Sequence, residues 1–435
     1  MASLIEFRKK LKLRVPKRLV HAHIPAHMLA SIWALGCLYV PNGVAQTTDG
    51  NQDTLYTTSK ADSTVSPRYL HHIEADIRPA YIFHTHPFLK GHNDNNRVFR
   101  NALSAHLKYA FRFAPHTLTA RAYGHPYQGI GLGYYTFDEP DYLGSPLAAY
   151  LFQGAPVCRI APWLTLNYEW NFGLSFGWQP YNASWNSDNR VIGSRLNAYM
   201  NVNVFFNWWL SKRVDLTTGV SLTHFSNGNT KVPNAGLNTI ALKLGVIYKL
   251  NGTAVNSNQE QAFLPEIPVF KPHISYDATL FGSWRRRSFI EGDKGLVSPD
   301  TYSVFGFNFA PMYNFCYRFR GGLSLDGVYD QSADLKHEGS SFVESSFNRQ
   351  IALGLSVRAE YVMPFFTIGM GYGRNVLCGS ADMRNWYQML SLKIATTRSS
   401  YLHVGYNLRD FKEPNFLMLG IGYRFNNRTP SLRFR

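Results

Sequence analysis

The chain has 435 residues, of which 15% are aromatic, with a mean hydropathy of −0.21 and a formal charge of +16. This length allows one or two domains, and the low hydropathy excludes a bundle of membrane-spanning helices. After the amino terminus the sequence contains no run of about 18 uninterrupted apolar residues, the length that a spanning helix requires.

The amino terminus has the parts of a secretory signal peptide. A basic region ending at Arg18 precedes an apolar run from about Met28 to Val40, and Gly43-Val44-Ala45 follows it. This pattern predicts export and cleavage after Ala45, so that residues 1–45 are removed. The alternative is a lipoprotein site with Cys37 as the first mature residue, although Ala34 and Leu35 stand in the reverse of the usual order.

The charge of the mature chain indicates the kind of partner. Removal of residues 1–45 takes away seven basic residues and one acid, which lowers the formal charge from +16 to +10. A basic protein suits an anionic partner. Export makes nucleic acid an unsuitable one and favours anionic lipid or a phosphate-bearing glycolipid. Cys158, Cys316 and Cys378 lack the spacing of a disulfide framework or a metal site, so we expect neither.

Strand periodicity dominates the chain beyond residues 46–66, a polar segment that we expect to be flexible. From Leu164 to Trp178, large apolar side chains alternate with polar ones, and residues 195–208 repeat the pattern with asparagines on the polar face. At about 3.3 Å per residue, such segments are long enough to cross a bilayer obliquely. An apolar face opposite a polar face predicts a transmembrane β-barrel with its apolar side outward.

About sixteen such segments are recognisable, eight on each side of a polar, proline-containing linker at 251–272. The predicted strands lie near residues 70–82, 102–114, 128–138, 146–162, 164–178, 194–210, 214–226 and 238–250, and then near 273–286, 301–311, 313–327, 349–362, 364–374, 386–396, 400–408 and 416–425. We therefore predict an all-β, outer-membrane barrel of antiparallel strands in two halves, 67–250 and 273–435. The halves form either one large barrel or two units, and the long linker favours two.

The segment from Leu216 to Tyr248 combines two alternating strands with a polar loop between them. His224 and Ser226 continue the apolar face of the first strand to its tip, and residues two apart share a strand face. An imidazole beside a hydroxyl is the arrangement of a general base and its nucleophile. Because the apolar face should point outward, we expect both side chains outside the barrel, where only lipid can reach them.

The loop motif resembles a known family. His224-Phe225-Ser226-Asn227, followed by Pro233-Asn234-Ala235-Gly236, is similar to the signature of the outer-membrane lipid A 3-O-deacylases. Upstream, Ile192–Asn197 and Gly129–Tyr134 resemble the longer acyloxyacyl hydrolases of some Gram-negative bacteria. The resemblance covers the first half. It implies a small outer-membrane barrel that hydrolyses an ester-linked acyl chain of lipid A with a serine–histidine–acid triad and without metal or other cofactor.

Carried over by position, the resemblance assigns roles to single residues. It implies Ser226 as the nucleophile and His224 as the general base, and it makes Asn234, with Asn227 and Gly228, the group that orients and stabilises the oxyanion. Asparagine side chains and loop amides can donate N–H groups to a developing negative charge, a contact worth about 10²–10³ in rate.

One position departs from the family pattern. The triad acid falls on Asn238, whose amide can orient a histidine tautomer but cannot stabilise an imidazolium by charge. The corresponding replacement costs roughly 10⁴ in turnover in the serine-protease template. Asp188, in the loop after Trp178, is the alternative acid, whereas the parity of Asp215 points it into the barrel.

Two further motifs have less specific interpretations. His84, His86 and His92 could form a metal site, but a loop at the level of the lipid headgroups accounts for them equally, and we predict no metal. Gly129, Gly131 and Gly133 lie within a strand without a following helix, so they predict tight inward packing instead of a phosphate-binding loop.

The sequence therefore predicts an outer-membrane esterase of a Gram-negative bacterium that removes a 3-O-acyl chain from lipid A in the outer leaflet. Its partner would be lipid A or lipopolysaccharide, with no nucleic acid, and a homodimer is compatible with the pattern. The alternatives are a non-catalytic barrel, either porin-like or structural, and a phospholipase.

Overall fold

The computed structural model describes residues 68–251, 267–291, 294–298, 300–338, 341–409 and 413–428. The predicted signal peptide, the alternative lipoprotein site at Cys37, the predicted flexible segment and most of the linker lie outside the described residues. None of the helices in the described part is both long enough and apolar enough to cross a membrane.

The first half of the chain folds into a closed barrel of eight antiparallel strands, in which the last strand pairs with the first. All eight agree with the predicted segments to within two residues. The strands are β1 (Tyr69–Ile82), β2 (Asn101–Phe113), β3 (Tyr127–Phe137), β4 (Gly144–Ala161), β5 (Leu164–Trp178), β6 (Leu196–Trp209), β7 (Val214–Ser226) and β8 (Leu237–Lys249). Two short α-helices, α1 (Leu118–Tyr123) and α2 (Pro140–Leu143), and a 3₁₀-helical turn at Pro87–Lys90 lie in its connections.

The second half forms a separate closed barrel, also of eight strands, so the chain has two units and not one large barrel. Two small hairpins lie outside its wall. In chain order the strands are β9 (His273–Arg285), β10 (Ser288–Glu291), β11 (Lys294–Val297), β12 (Tyr302–Asn314), β13 (Phe319–Asp330), β14 (Lys336–Glu338), β15 (Ser341–Val343), β16 (Ile351–Val362), β17 (Phe366–Cys378), β18 (Trp386–Ala395), β19 (Ser400–Arg409) and β20 (Glu413–Phe425). A helical turn, α3 (Phe347–Gln350), precedes β16.

The predicted boundary between the second and third strands of this barrel is wrong. The sequence suggested an end at residue 311, but β12 continues through Pro311 to Asn314, and the turn comes at 315–318. Pro311 stands opposite Tyr276 of β9, while the register with β13 contains no pair for it. A proline is tolerated in a strand where its missing N–H is not required by the ladder.

The faces of the strands are distributed as predicted, with apolar side chains outside. Ile77 and Leu107 on the first barrel are 53% and 57% exposed, and Leu280 and Ile421 on the second are 65% and 64% exposed. Polar side chains fill the interior, and Asn203 on β6 is fully buried. This reversal of the soluble pattern is what a barrel surrounded by lipid requires.

Ion pairs occupy both interiors. In the first barrel, Lys108 donates to Glu169 at 3.0 Å, and both residues are almost fully buried. In the second, Arg320 lies 2.6 Å from Asp277, and Lys393 lies 2.7 Å from Glu360. Charges that have been removed from water are stable only when they are paired in this way.

The inward glycines of β3 confirm the predicted tight packing. A methyl group at Gly131 would lie 2.4 Å from a ring carbon of Tyr150, and one at Gly133 would lie 2.6 Å from the ring of His106. Glycine therefore leaves space inside the barrel for large side chains from the neighbouring strands.

The two barrels pack against each other through their outer faces. Trp170 of β5 points outward but is only 5% exposed, because its ring meets that of Phe366 with centroids 5.1 Å apart. Phe365 contacts Phe111 and Phe113 in the same way, at 5.6 and 6.0 Å. Part of the apolar surface that the sequence predicts to face lipid is thus a contact between the barrels.

Candidate active site

The outward orientation of the His224 and Ser226 positions is confirmed by their neighbours on β7. Val220, on the same face, is 43% exposed. Phe225, between the two residues, points into the barrel, where it is fully buried against Trp178 with ring centroids 4.8 Å apart. The strand therefore presents His224 and Ser226 together on its outer side, at the end from which the loop 227–236 continues.

His224 is held by a cross-strand partner. It lies opposite Asn238 of β8, and its Nδ1 is 2.6 Å from Oδ1 of that residue. Because an amide oxygen only accepts, this contact selects the tautomer that carries its proton on Nδ1 and leaves the lone pair on Nε2. His224 is 5% exposed, and its Nε2 has no hydrogen-bond partner within the described residues.

Ser226 lies two residues beyond this imidazole and is half-buried. The structure forms no hydrogen bond between the two side chains. Ser226 stands opposite Ala198 of β6, and His224 stands opposite Met200 of the same strand. The hydroxyl of Ser226 and the unpaired Nε2 of His224 therefore lie on the same outer face of the barrel, beside apolar residues of β6.

The loop begins with a tight turn at 227–230. The N–H of Thr230 donates to the carbonyl of Asn227 at 3.3 Å, and the two central residues, Gly228 and Asn229, have φ of 64° and 63°. Two consecutive positive φ values define a type I′ turn, which glycine and asparagine adopt more readily than other residues. Turn chemistry therefore explains part of the motif without reference to catalysis.

The asparagine side chains of the motif hold this loop together. The N–H of Asn227 donates to Oδ1 of Asn234 at 3.1 Å, and the side-chain amide of Asn227 donates to the carbonyl of Lys231 at 2.8 Å. Nδ2 of Asn234 faces Oδ1 of Asn229 at 3.3 Å. Both asparagines are thus engaged within the loop, while the N–H of Gly228 has no partner in the described part of the chain.

A second loop, residues 179–195 between β5 and β6, packs over the first. The carbonyls of Arg190 and Val191 accept from the N–H groups of Ala235 and Gly236 at 3.1 and 3.0 Å. A methyl group at Gly193 would lie 2.1 Å from the carbonyl oxygen of Pro233. Only glycine permits this approach of the two backbones.

Gly236 has a role that the sequence analysis did not assign. Its φ is 75°, and a methyl group there would lie 2.9 Å from Cε1 of His224. The glycine therefore gives the imidazole its space against the loop. Its position in the Pro-Asn-x-Gly element was the available signal, but the contact with His224 depends on how the loop folds back.

The acidic alternatives lie elsewhere. Asp188 is half-buried in the loop 179–195 and makes no hydrogen bond to His224. Asp215 is buried at the far end of β7, 2.6 Å from Lys249, and its inward orientation is as predicted. The geometry thus joins Asn238, and neither aspartate, to the imidazole.

The expectation that only lipid can reach this face is wrong, because the second barrel stands beside the turn. A methyl group at Gly228 would lie 3.5 Å from Cε2 of Tyr406 and 3.7 Å from Cδ1 of Leu417. The N–H of Arg286 points at the carbonyl of Asn229 over 3.4 Å. The side of β7 that carries the motif therefore faces the junction of the barrels.

The histidines of the first loop have other partners. The ring of His84 bonds to the carbonyl of Phe99 at 2.7 Å, and Nδ1 of His86 accepts from the N–H of Phe88 at 3.2 Å. Burial, together with the nearby charge of Arg190, lowers the pKa of His86. Among the described residues, no group of three His, Cys, Asp or Glu side chains is placed to hold a metal ion.

Two family models match the sequence. Residues 106–246 match the family described as lipid A 3-O-deacylase (PagL), and residues 274–427 match the family described as acyloxyacyl hydrolase, C-terminal domain. The first match contains the motif at 224–238, which confirms the resemblance. The second spans the second barrel, in which the sequence contains no motif comparable to that at 224–238. No curated protein sequence matches the chain significantly.

Solved structures are similar over about two fifths or about four fifths of the chain. Neisserial surface protein A has 11% identity and a TM-score of 0.27, over 41% of this chain and 96% of that one. The outer membrane enzyme PagL has 15% identity and a TM-score of 0.26, over 40% and 97%. A variant of the Rhodopseudomonas blastica porin has 10% identity and a TM-score of 0.16, over 82% and 100%. At these scores the likenesses carry no functional argument.

Proposed function

We propose that this protein is an esterase of the outer membrane that removes a 3-O-acyl chain from lipid A, because residues 106–246 match the lipid A 3-O-deacylase family and residues 274–427 match the acyloxyacyl hydrolase C-terminal domain family. The observation that carries the proposal is the 2.6 Å contact of His224 with Asn238, which leaves Nε2 unpaired on the face that carries Ser226.

In the proposed reaction, Oγ of Ser226 attacks the ester carbonyl of the substrate while Nε2 of His224 takes the hydroxyl proton. The tetrahedral intermediate collapses when the imidazolium gives this proton to the departing sugar oxygen, which leaves an acyl-enzyme and a free hydroxyl on the sugar. Water then attacks the acyl-enzyme with His224 again as the base, releases the fatty acid and restores Ser226.

The oxyanion requires donors close to Ser226. The N–H of Gly228, two residues on, has no partner in the described structure and is the donor that the geometry favours. Nδ2 of Asn234 is the second, because its 3.3 Å contact with Asn229 is long enough to be exchanged for a stronger acceptor. Asn227 acts on the shape of the loop, since both its backbone and side-chain N–H groups are engaged there.

Three basic residues beside the loop support an anionic headgroup as the substrate. The carbonyl of Arg190 accepts from Ala235, that of Lys231 accepts from Asn227, and the N–H of Arg286 points at Asn229. The backbone of each of these three residues is thereby held at the loop. The phosphate groups of lipid A would be attracted by these positive charges beside the loop, whereas a neutral lipid would not be.

Mass spectrometry of lipid A tests the proposal. Lipid A would be isolated from host outer membranes that contain the wild type, Ser226→Ala or Ser187→Ala, the last being an exposed serine in the loop 179–195. We expect the wild type and Ser187→Ala to remove one hydroxyacyl chain and Ser226→Ala to remove none. Unchanged lipid A with the folded wild type would refute the proposal for this substrate, and release of fatty acid from glycerophospholipids would then identify a phospholipase.

A further inference from the structure

All the residues of the proposed reaction belong to the first barrel, yet the second barrel contacts the turn at 227–230 that follows Ser226. Gly228 is buried, and the nearest atoms to a methyl group there belong to Tyr406 and Leu417. These two side chains lie opposite each other on β19 and β20. The contact therefore comes from one place on the wall of the second barrel.

The orientation of this pair shows that it does not belong to the interior of its own barrel. Tyr401 and Met418, which point inward from the same two strands, are 4% and 0% exposed. On the outward faces, Leu402 and Ile421 are 45% and 64% exposed. Tyr406 and Leu417 share these outward faces but are half-buried, because at their level the first barrel stands where lipid would otherwise be.

The backbone of the second barrel reaches the same turn. Arg286 directly follows β9, and its N–H is 3.4 Å from the carbonyl of Asn229, the residue after Gly228. A contact of this length is weak by itself. Together with the side chains of Tyr406 and Leu417, it means that both central residues of the type I′ turn touch the second barrel.

We propose that the second barrel positions the turn at 227–230, with Tyr406 and Leu417 holding Gly228 so that its N–H points at the oxyanion. This inference rests on the proposed function. Tyr406 and Leu417 are positioning residues, since they act through Gly228 and do not touch the reacting atoms. The second barrel is on this account a part of the enzyme and not an independent unit.

The physical reason is that a turn of this kind has few contacts of its own. Glycine has the widest conformational freedom of any residue, so packing has to select one conformation of the turn. A displacement of about 1 Å at a catalytic group can cost about 10²-fold in rate. Loss of the contact should therefore lower kcat, which reports the chemical step, more than it changes KM.

Substitutions in the full chain test this inference. Tyr406→Ala and Leu417→Ala remove the contact, while Tyr406→Phe keeps the ring carbon that would lie nearest to a methyl group at Gly228. Leu402→Ala and Ile421→Ala are matched controls, because they lie on the same two strands and the same outward faces but are exposed. Deacylation of lipid A by purified protein would give kcat and KM for each variant.

We expect kcat to fall about 10-fold or more in Tyr406→Ala and Leu417→Ala with KM within about 2-fold, and the other three variants to stay within about 2-fold of the wild type. Wild-type kcat in both of the first two, or an equal fall in Ile421→Ala, would overturn the inference. A merely structural role would lower the amount of folded protein or change kcat and KM together, whereas the positioning role lowers kcat and leaves KM unchanged.

Hydrogen exchange separates this inference from the proposed function, because it does not depend on activity. The amides of residues 227–230 should exchange faster in Tyr406→Ala and Leu417→Ala than in the wild type, and at the wild-type rate in Ile421→Ala. A wild type that removes no acyl chain, with this exchange pattern present, would refute the esterase and leave the positioning contact standing. Unchanged exchange in both alanine variants would refute the positioning itself.

Discussion

At the scale of single residues, the site is distinguished by an amide where the family pattern has an acid. Asn238 lies 2.6 Å from Nδ1 of His224 and is 5% exposed, so it orients the imidazole within a well-defined hydrogen bond. What it lacks is the charge that would stabilise an imidazolium during the reaction. The pairing of the histidine with its orienting partner is therefore present, and the proposed third member of the triad is uncharged.

We expect Asn238→Asp to raise kcat by about 10-fold or more, because a carboxylate of the same shape would add this charge, and Asn238→Ala to lower kcat by about 10-fold. Initial rates of lipid A deacylation would measure both. If Asn238→Asp keeps an intact barrel but is no faster than the wild type, Asn238 is not the third member of the triad. Asp188 would then be the better candidate.

At the scale of elements, the loops 179–195 and 227–236 form one unit over the end of β7. Their backbones are joined by the contacts of Arg190 and Val191 with Ala235 and Gly236. Gly193 allows the closest approach, 2.1 Å from the carbonyl of Pro233 to a methyl group placed there. The position of Asn234, and with it one of the proposed oxyanion donors, depends on this packing.

Gly193→Ala should force the loops apart and reduce deacylation about 10-fold or more, while the barrel stays folded because its strands are unaffected. Activity and the heat-dependent electrophoretic mobility of the folded barrel would be measured side by side. Gly282→Ala serves as the control, since a methyl group there would lie 3.2 Å from the exposed, movable ring of Phe305. Full activity of Gly193→Ala would show that the loops are not coupled as the contacts indicate.

At the scale of the whole molecule, neither barrel resembles an open channel. Lys108 and Glu169 in the first, and Arg320 and Asp277 in the second, are buried at 0–2% exposure and bonded to each other across the lumen. In these networks the paired side chains lie across the lumen, where they obstruct the passage of ions. This arrangement argues against the porin-like alternative.

Planar lipid bilayers provide the test. We expect the purified full chain to produce no stepwise conductance under conditions in which an established porin does, because side chains fill both lumens. Steady unitary currents from the wild type would contradict this expectation. They would also make the porin-like alternative the better account of the second barrel.

Much of this molecule was determined by local sequence. Alternation at a period of two predicted the sixteen strands of the barrel walls and their faces, because lipid outside and packed polar groups inside favour opposite residue types at successive positions. The same parity placed His224 and Ser226 outward and Asp215 inward. The family resemblance implied Asn238 as the partner of His224, and the register of β7 with β8 sets these two residues opposite each other.

Only the tertiary structure decided how the halves relate. Whether sixteen barrel strands close once or twice depends on which distant edges pair, and β1 with β8 and β9 with β20 are contacts that no local period encodes. The strand pattern predicts that Trp170 faces lipid, but the residue packs against Phe366 of the second barrel. The pattern cannot distinguish the two cases, because lipid and a second barrel both favour apolar residues. For the same reason the contact of Tyr406 and Leu417 with Gly228 depends on how the two barrels pack and is not encoded in either strand pattern.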